Sequence, residues 1–116
     1  MDLHDIKTRL AKFAAERNWD QFHTPKNLSM ALAAEAAELL EIFQWLTEEQ
    51  SKAIVHDEKE ISQVKDEIAD VFIYLVRLAD KLDIDIEKAV LDKIEQNDKK
   101  YPIELAKNNA IKYNKR

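Results

Sequence analysis

Apolar residues recur every three or four positions along most of the chain, which is the spacing of amphipathic helices. The first stripe lies within residues 1–18 and consists of Leu3, Ile6, Leu10, Phe13 and Ala14. Asp2 is well placed to cap this helix, which we expect to end near Asn18. The segment from Trp19 to His23 then interrupts the helical pattern.

Capping residues mark the start of the next two elements. Thr24 and Pro25 are typical of an N-cap and the first helical position, which predicts a second helix from about Lys26 to Leu46. The run Thr47–Gln50 matches a capping box, and it predicts a short helix or turn after the second helix.

Two more helices complete the predicted fold. A third long helix covers roughly residues 58–81, and a fourth is capped by Asp83 or Asp85 and ends near Lys100, where Pro102 stops it. The chain is therefore predicted to be all-α, with one domain over residues 1–106 and a basic C-terminal tail over residues 107–116.

The third helix is apolar around nearly its whole circumference, through Val71, Phe72, Ile73, Leu75, Val76 and Leu78. A helix of this kind must be covered on all sides, which three short helices of one chain can hardly achieve. We infer that a second copy supplies the remaining cover through a two-fold interface, so that dimerisation completes a four-helix bundle.

Acidic residues lie inside the apolar stripes of both long helices. At about 100° per residue, Glu35 falls in the middle of the stripe of the second helix, with Glu38 about 60° to one side. Glu67 and Asp70 repeat this arrangement on the third helix. We expect the other acids to pair with lysines or to reach into solvent, namely Glu41, Glu48, Glu49, Glu58 and Glu60.

Four carboxylates facing one core need compensation, because an unpaired buried charge is costly. Pairing with lysines or reaching into solvent is one solution, and a divalent cation is the other. Carboxylate oxygens without histidine or thiolate favour magnesium, with manganese as a substitute. A di-iron site would need Glu-x-x-His on two helices, and His4, His23 and His56 stand in no such register.

The inner stripe of the fourth helix mixes apolar and polar residues: Ile86, Val90, Lys93, Ile94 and Asn97. We expect this stripe to be buried, and Tyr101 follows it by one turn. Lys93 is then either a salt-bridge partner of the acids or, together with Asn97, a ligand for phosphate oxygens.

Four aromatic or imidazole side chains stand near the ends of the predicted helices or beside the acids: Trp19, His23, Trp45 and Tyr74. For an aromatic side chain taken singly, packing in a core is the commoner role, and stacking on a nucleobase is the alternative. The imidazole of His23 is a candidate hydrogen-bond donor at a helix end.

Composition excludes several classes of protein. The chain contains no glycine and no cysteine, which rules out a P-loop, a dinucleotide-binding fingerprint, a disulfide framework and a cysteine nucleophile. The net charge is −5, and the acidic residues all lie in the first 106 positions, which argues against nucleic-acid binding. No signal peptide is evident and the longest apolar stretch, Ile68–Ala79, is too short to span a membrane, so we expect a cytoplasmic protein.

Four stretches of the chain, in order, resemble the all-α nucleoside triphosphate pyrophosphohydrolases of the MazG-like family, and within it the dCTP pyrophosphatase type. The first runs from Glu16 to Leu28 and contains Trp-x-x-Phe-His, and the second, Glu35–Trp45, contains Glu-x-x-Glu. The third, Glu67–Leu75, contains Glu-x-x-Asp, and the fourth runs from Lys93 to Pro102 with Lys-x3-Asn. The resemblance covers roughly residues 5–105.

The resemblance implies a four-helix fold that dimerises, usually as a dimer of dimers, and hydrolysis of a nucleoside triphosphate to monophosphate and pyrophosphate. It implies magnesium on Glu35, Glu38, Glu67 and Asp70. It also implies that base and sugar lie among Trp19, His23, Trp45 and Tyr74, and phosphate among Lys93, Asn97 and Tyr101.

One departure from the broader family pattern is Ala34, since a glutamate doublet often stands where this chain has Ala34 and Glu35. The implied reaction needs no protein nucleophile, because a water activated by magnesium attacks the α-phosphorus. The competing hypothesis is a non-catalytic helical oligomerisation module, which explains the apolar third helix but not the acids in two buried stripes.

Overall fold

The computed structural model describes residues 1–108 and 110. Within this part of the chain all regular structure is helical, which confirms the all-α prediction. The α-helices are α1 (Leu3–Glu16), α2 (Pro25–Phe43), α3 (Glu48–Ala53), α4 (Glu58–Lys81), α5 (Ile86–Lys100) and α6 (Ile103–Ala106). Short 3₁₀ turns at Asp20–Phe22 and Ile54–His56 precede α2 and α4.

Short polar side chains begin the helices as the sequence predicts. The Asp2 carboxylate accepts from the backbone N–H of Asp5 at 2.9 Å, and the Thr24 hydroxyl accepts from that of Asn27 at 3.2 Å. The capping box at Thr47 is formed in both directions with Gln50. Of the two caps considered for α5, Asp85 is the one used. These local bonds satisfy donors that have no partner inside the helix.

α1 and α4 each end at a residue in the left-handed backbone conformation. Glycine usually takes this position, but the chain has none. Asn18 has φ of 52° and Asp83 has φ of 54°. At the end of α1, the backbone N–H of Trp19 donates to the Ala14 carbonyl and that of Asn18 to the Ala15 carbonyl. This is the Schellman arrangement, in which a left-handed residue turns the chain away from the helix axis. It fixes where the segment after α1 begins.

The first of two compact units comprises Met1–Asp83. The main helix pair in it is α2 with α4, and α1 also contacts α4. Ile42 near the end of α2 shares a cleft with Glu60 near the start of α4, so the two helices run antiparallel. The buried apolar residues of this unit are Ala14, Leu28, Ile54, Val64, Val76 and Ala79.

The second unit begins at Ile84 and contains α5 and α6. The predicted burial of the α5 stripe is wrong for the single chain, since Val90 and Ile94 are about half exposed and Lys93 and Asn97 are exposed. Most of the predicted basic tail, namely residues 109 and 111–116, lies outside the described residues.

Apolar side chains on α4 also remain open to solvent. Ile68 is 55% exposed and Leu75 39%, whereas Val76 on another side of the helix is 2% exposed. The part of the chain that the structure describes therefore covers α4 on some sides only. Among the helices of this part, none has the length and apolar character that crossing a bilayer requires.

Candidate metal and nucleotide site

Three glutamates meet across the α2–α4 pair. Glu35 and Glu38 lie one turn apart on α2, and Glu67 faces them from α4. Each offers a carboxylate oxygen, and these oxygens all lie within 4.8 Å of one another. We call this set the acid cluster. The periodicity of both helices predicts this meeting, because each places a glutamate in the stripe that packs against the other helix.

Two oxygens of the acid cluster are buried without a partner. Oε2 of Glu35 and Oε2 of Glu67 are both shielded from solvent and accept no hydrogen bond from any described residue. Leaving a buried carboxylate oxygen unsatisfied costs free energy, and a hard cation is the ligand that would satisfy several such oxygens at once. The donor set, oxygen only, fits magnesium or manganese.

The crowding of carboxylates alters their protonation. The neighbouring Glu67 carboxyl raises the pKa of Glu35, because it stabilises the protonated form of Glu35, and burial and the charge of Asp70 act in the same direction. Glu35 in turn raises the pKa of Glu38. Asp70 is half-buried and close enough to affect Glu35, although it is outside the set of mutually close oxygens.

An acidic cleft of about 570 Å³ opens beside the acid cluster. Its lining residues are Glu38, Glu41, Ile42, Glu60, Gln63, Asp66 and Glu67. Glu41 is exposed, as its position on the helix predicts, and Glu60 is half-buried rather than fully solvated, since it faces the cleft between α2 and α4. Such a cleft repels a free polyanion and favours one accompanied by cations.

The segment between α1 and α2 carries an aromatic group. The rings of Trp19 and Phe13 form a T-shaped pair with their centroids 5.7 Å apart, and the centroid of the Trp19 ring lies 6.5 Å from that of the His23 ring. The Arg17 guanidinium lies 3.6 Å from the centroid of Phe13. Because Trp19 is 45% exposed, part of its surface remains open to a planar ligand.

A buried arginine ties this segment to α4. Arg77 is 4% exposed, and it donates to His23 Nδ1 at 3.3 Å and to the Asp20 carboxylate at 3.1 Å. Lys81 also reaches Asp20, at 2.6 Å, and the two cations lower the pKa of Asp20. In the sequence Arg77 is visible only as a polar residue inside an apolar stretch, and its partners His23 and Asp20 lie more than 50 positions away.

The remaining candidate residues are spread over the chain. Tyr74 is half-buried on α4, and Trp45, just beyond α2, is 86% exposed and so lies outside the core of this chain. Lys93 and Asn97 belong to α5 in the second unit, and Tyr101 follows that helix. Their assignment to phosphate stays a prediction.

Comparison with known proteins shows which curated proteins the chain resembles. The chain is 42% identical over 111 residues to dCTP pyrophosphatase 1 of Rattus norvegicus and 43% identical over 111 residues to dCTP pyrophosphatase 1 of Homo sapiens. Each alignment covers 96% of this chain and 65% of the relative, so the chain spans just under two thirds of the length of these curated relatives.

A solved structure and a family model match as well. The crystal structure of a pyrophosphatase from Archaeoglobus fulgidus superposes with a TM-score of 0.81 at 40% identity, covering 88% of this chain and 94% of that one. The model of the MazG-like family matches residues 30–115, which include the three glutamates of the acid cluster. On these grounds the chain belongs to the MazG-like family.

Proposed function

We propose that this protein is a divalent-cation-dependent nucleoside triphosphate pyrophosphohydrolase. It converts dCTP, or a related or modified deoxynucleoside triphosphate, to the monophosphate and pyrophosphate, and so removes unwanted nucleotides from the pool. The observation that carries the proposal is the pair of buried carboxylate oxygens without partners on Glu35 and Glu67. The names of the rat and human relatives support dCTP as the substrate, and the name of the archaeal relative supports a pyrophosphatase reaction.

The acid cluster and Asp70 are the proposed magnesium ligands, with manganese as a substitute. Glu35, Glu38 and Glu67 have the oxygen donors that such an ion requires, and Asp70 adds a fourth carboxylate nearby. When bound, the ion neutralises phosphate charge and lowers the pKa of a water molecule. Without it, the same carboxylates repel the substrate.

The other candidate residues hold the substrate. Trp19, His23, Trp45 and Tyr74 are proposed to surround base and sugar, and the exposed face of Trp19 is the part best suited to stacking. Lys93, Asn97 and Tyr101 are proposed to hold the phosphates that leave as pyrophosphate. A lysine and an amide are suitable partners for phosphate oxygens.

The active form is proposed to be a homo-oligomer, a dimer or a dimer of dimers, made of one domain over residues 1–106 with a basic tail. The exposed apolar residues Ile68 and Leu75 on α4 support this assembly. We further propose a cytoplasmic enzyme that acts on free nucleotides and binds neither nucleic acid nor membrane, as the acidic net charge favours.

Hydrolysis in ¹⁸O-water tests the reaction. If water attacks the α-phosphorus of dCTP, the label appears in dCMP and the second product is unlabelled pyrophosphate. Label found only in pyrophosphate would place the attack at the β-phosphorus and overturn the proposed mechanism. A panel of nucleoside triphosphates, each followed by pyrophosphate release, then ranks the substrates.

The oligomerisation module is the competing function, and metal binding separates the two. A magnesium-binding enzyme gains thermal stability as magnesium is added, because the ion binds the folded state alone. A helical module without a metal site gives the same melting temperature with magnesium and with a chelator.

A further inference from the structure

His23 is held by an arginine that is almost completely buried. The Arg77 side chain is 4% exposed, and its Nε–H donates to His23 Nδ1 at 3.3 Å. Its two remaining guanidinium nitrogens donate to Asp20 at 3.1 Å and to Asp80 at 3.4 Å. The three bonds fix the guanidinium plane, so Arg77 has little freedom to move away from the imidazole.

This contact determines which nitrogen of His23 carries the proton. Every nitrogen of an arginine side chain donates and none accepts. The imidazole nitrogen facing Arg77 must therefore accept, which means that Nδ1 has no hydrogen. In a neutral imidazole the proton then lies on Nε2, and no hydrogen bond within residues 1–108 uses that atom.

The surrounding charges favour the same neutral state. A second proton on His23 would lie on Nδ1, and its N–H would then point at the Nε–H of Arg77. Burial and the Arg77 charge lower the pKa of His23, Lys81 acts in the same direction, and Asp20 alone opposes them. Asp20 is itself shared between Arg77 and Lys81, and Asp80 pairs with Arg77.

We propose that Arg77 is a positioning residue that holds His23 neutral with its proton on Nε2, so that His23 binds the nucleotide as a hydrogen-bond donor to an acceptor atom. This rests on the proposed function, since it names the role of one residue in the same site. It excludes His23 as a general base at Nδ1, which Arg77 occupies.

The tautomer of His23 is measured first, in the wild-type chain and without substrate. Histidine-selective ¹⁵N labelling with two-bond ¹H–¹⁵N correlation distinguishes a bare ring nitrogen from a protonated one. We expect a bare Nδ1 and a protonated Nε2 for His23 on both sides of the ordinary histidine pKa of 6.5. His23→Gln assigns the signals, and the exposed His4 and His56 serve as internal references.

Two variants then separate positioning from general support of the fold. Arg77→Lys keeps a cation near Asp20 but lacks the planar fork that reaches His23. We expect a mixture of His23 tautomers and a KM for dCTP that is about three- to tenfold higher, the range for one lost hydrogen bond, with kcat little changed.

Lys81→Met is the matched control, because it removes the other cation from Asp20 and leaves the Arg77–His23 contact intact. It should retain the wild-type tautomer. A proton on Nδ1 in the wild-type chain would overturn the proposal even if Arg77→Lys fails to fold, and so would a wild-type tautomer in folded Arg77→Lys. The two proposals can fail separately. If the tautomer is as expected but no nucleotide releases pyrophosphate, the proposed function is wrong, whereas the positioning of His23 by Arg77 is still supported.

Discussion

Glu35 and Glu67 are the residues at which the fold and the proposed chemistry are most closely linked. Each lies in the packed stripe of its helix, and each has one buried carboxylate oxygen without a partner. In a metal-free chain these charges oppose the packing of α2 on α4. The same carboxylates are the proposed ligands of magnesium, so the proposal gives each of these side chains a catalytic role at the expense of the stability of the metal-free fold.

Glu67→Gln should lower activity by about 100-fold or more, because it removes one proposed metal ligand. Without magnesium the variant should melt at a higher temperature than the wild type, since one of the crowded charges is gone. Activity and melting curves with magnesium and with a chelator check both expectations. Glu58→Gln is the control, as it makes the same change at an exposed position of α4. Turnover of Glu67→Gln near that of Glu58→Gln at saturating magnesium would contradict the assignment.

The raised pKa of Glu35 predicts how stability changes with pH in the absence of metal. Between the usual value of 4.5 and the raised value, the folded state holds a proton that the unfolded state has released. This contribution is present below 4.5 and is lost as the pH rises through the raised pKa. The melting temperature of the chelated wild type should therefore fall relative to that of Glu35→Gln as the pH increases.

The comparison with Glu35→Gln removes the contribution of groups that do not depend on Glu35, whereas Glu38, whose pKa is raised by Glu35, contributes to the measured difference. His23 has a lowered pKa and acts in the opposite direction below 6.5, but it is present in both proteins. Parallel melting curves for the two proteins across this pH range would show that Glu35 is not perturbed.

At the scale of elements, the end of α1 determines where the aromatic segment begins. Asn18 adopts the left-handed conformation that glycine usually supplies, and Trp19 follows it directly. Ala14, whose carbonyl accepts from the Trp19 N–H, is 1% exposed. The turn is therefore anchored in the core of the first unit, and a strained residue at position 18 would disturb Trp19 as well as the helix end.

Asn18→Ala should lower the free energy of unfolding by about 1 kcal/mol, because alanine is disfavoured in the left-handed region. Asn18→Gly should be at least as stable as the wild type, since glycine adopts this conformation freely. Urea unfolding of both variants measures the difference. The idea fails if alanine and glycine at this position give the same stability.

Local signals account for most of what the sequence predicts at this scale. Asp2, Thr24, Thr47 and Asp85 each cap a helix through the residue three positions further on, so each helix start can be predicted from a few neighbouring residues. The meeting of Glu35 with Glu67 is predicted because each lies in a stripe that must face another helix. The Arg77 contacts with Asp20 and His23 could not be predicted, because they depend on how a connection folds back onto α4.

The exposure of the α5 stripe and of Trp45 shows a second limit of what the sequence can predict. Apolar periodicity indicates that a surface needs cover, but it does not say which chain supplies it. Ile86, Val90 and Ile94 have the spacing of a buried stripe, yet the last two are about half exposed in the described chain.

At the scale of the whole molecule, the exposed apolar side chains point to further assembly. Ile68 and Leu75 lie seven positions apart on α4, which places them on one side of the helix, and both are more than a third exposed. Leu40 on α2 is 60% exposed. Surfaces of this kind are unusual on a monomer in water and are typical of subunit interfaces.

Light scattering should therefore give the mass of a dimer or tetramer at micromolar concentration. Ile68→Lys should shift this mass toward the monomer, because a lysine in an apolar interface has no partner. Ser62→Lys adds the same charge at an exposed polar position of α4 and should leave the assembly unchanged. A stable, folded wild-type monomer would refute the prediction.

The hydrogen bonds from Arg77 and Lys81 to Asp20 also have a consequence for how such a protein can evolve. The acid cluster is built from α2 and α4 alone, whereas Trp19 and His23 belong to a short connection fastened to α4 through Asp20. Residues of that connection can be exchanged, with Asp20 and His23 kept, without disturbing the paired helices. The proposed nucleotide contacts of Trp19 and His23 and the proposed metal ligands thus lie on separate pieces of chain, so that one set can be substituted while the other is kept.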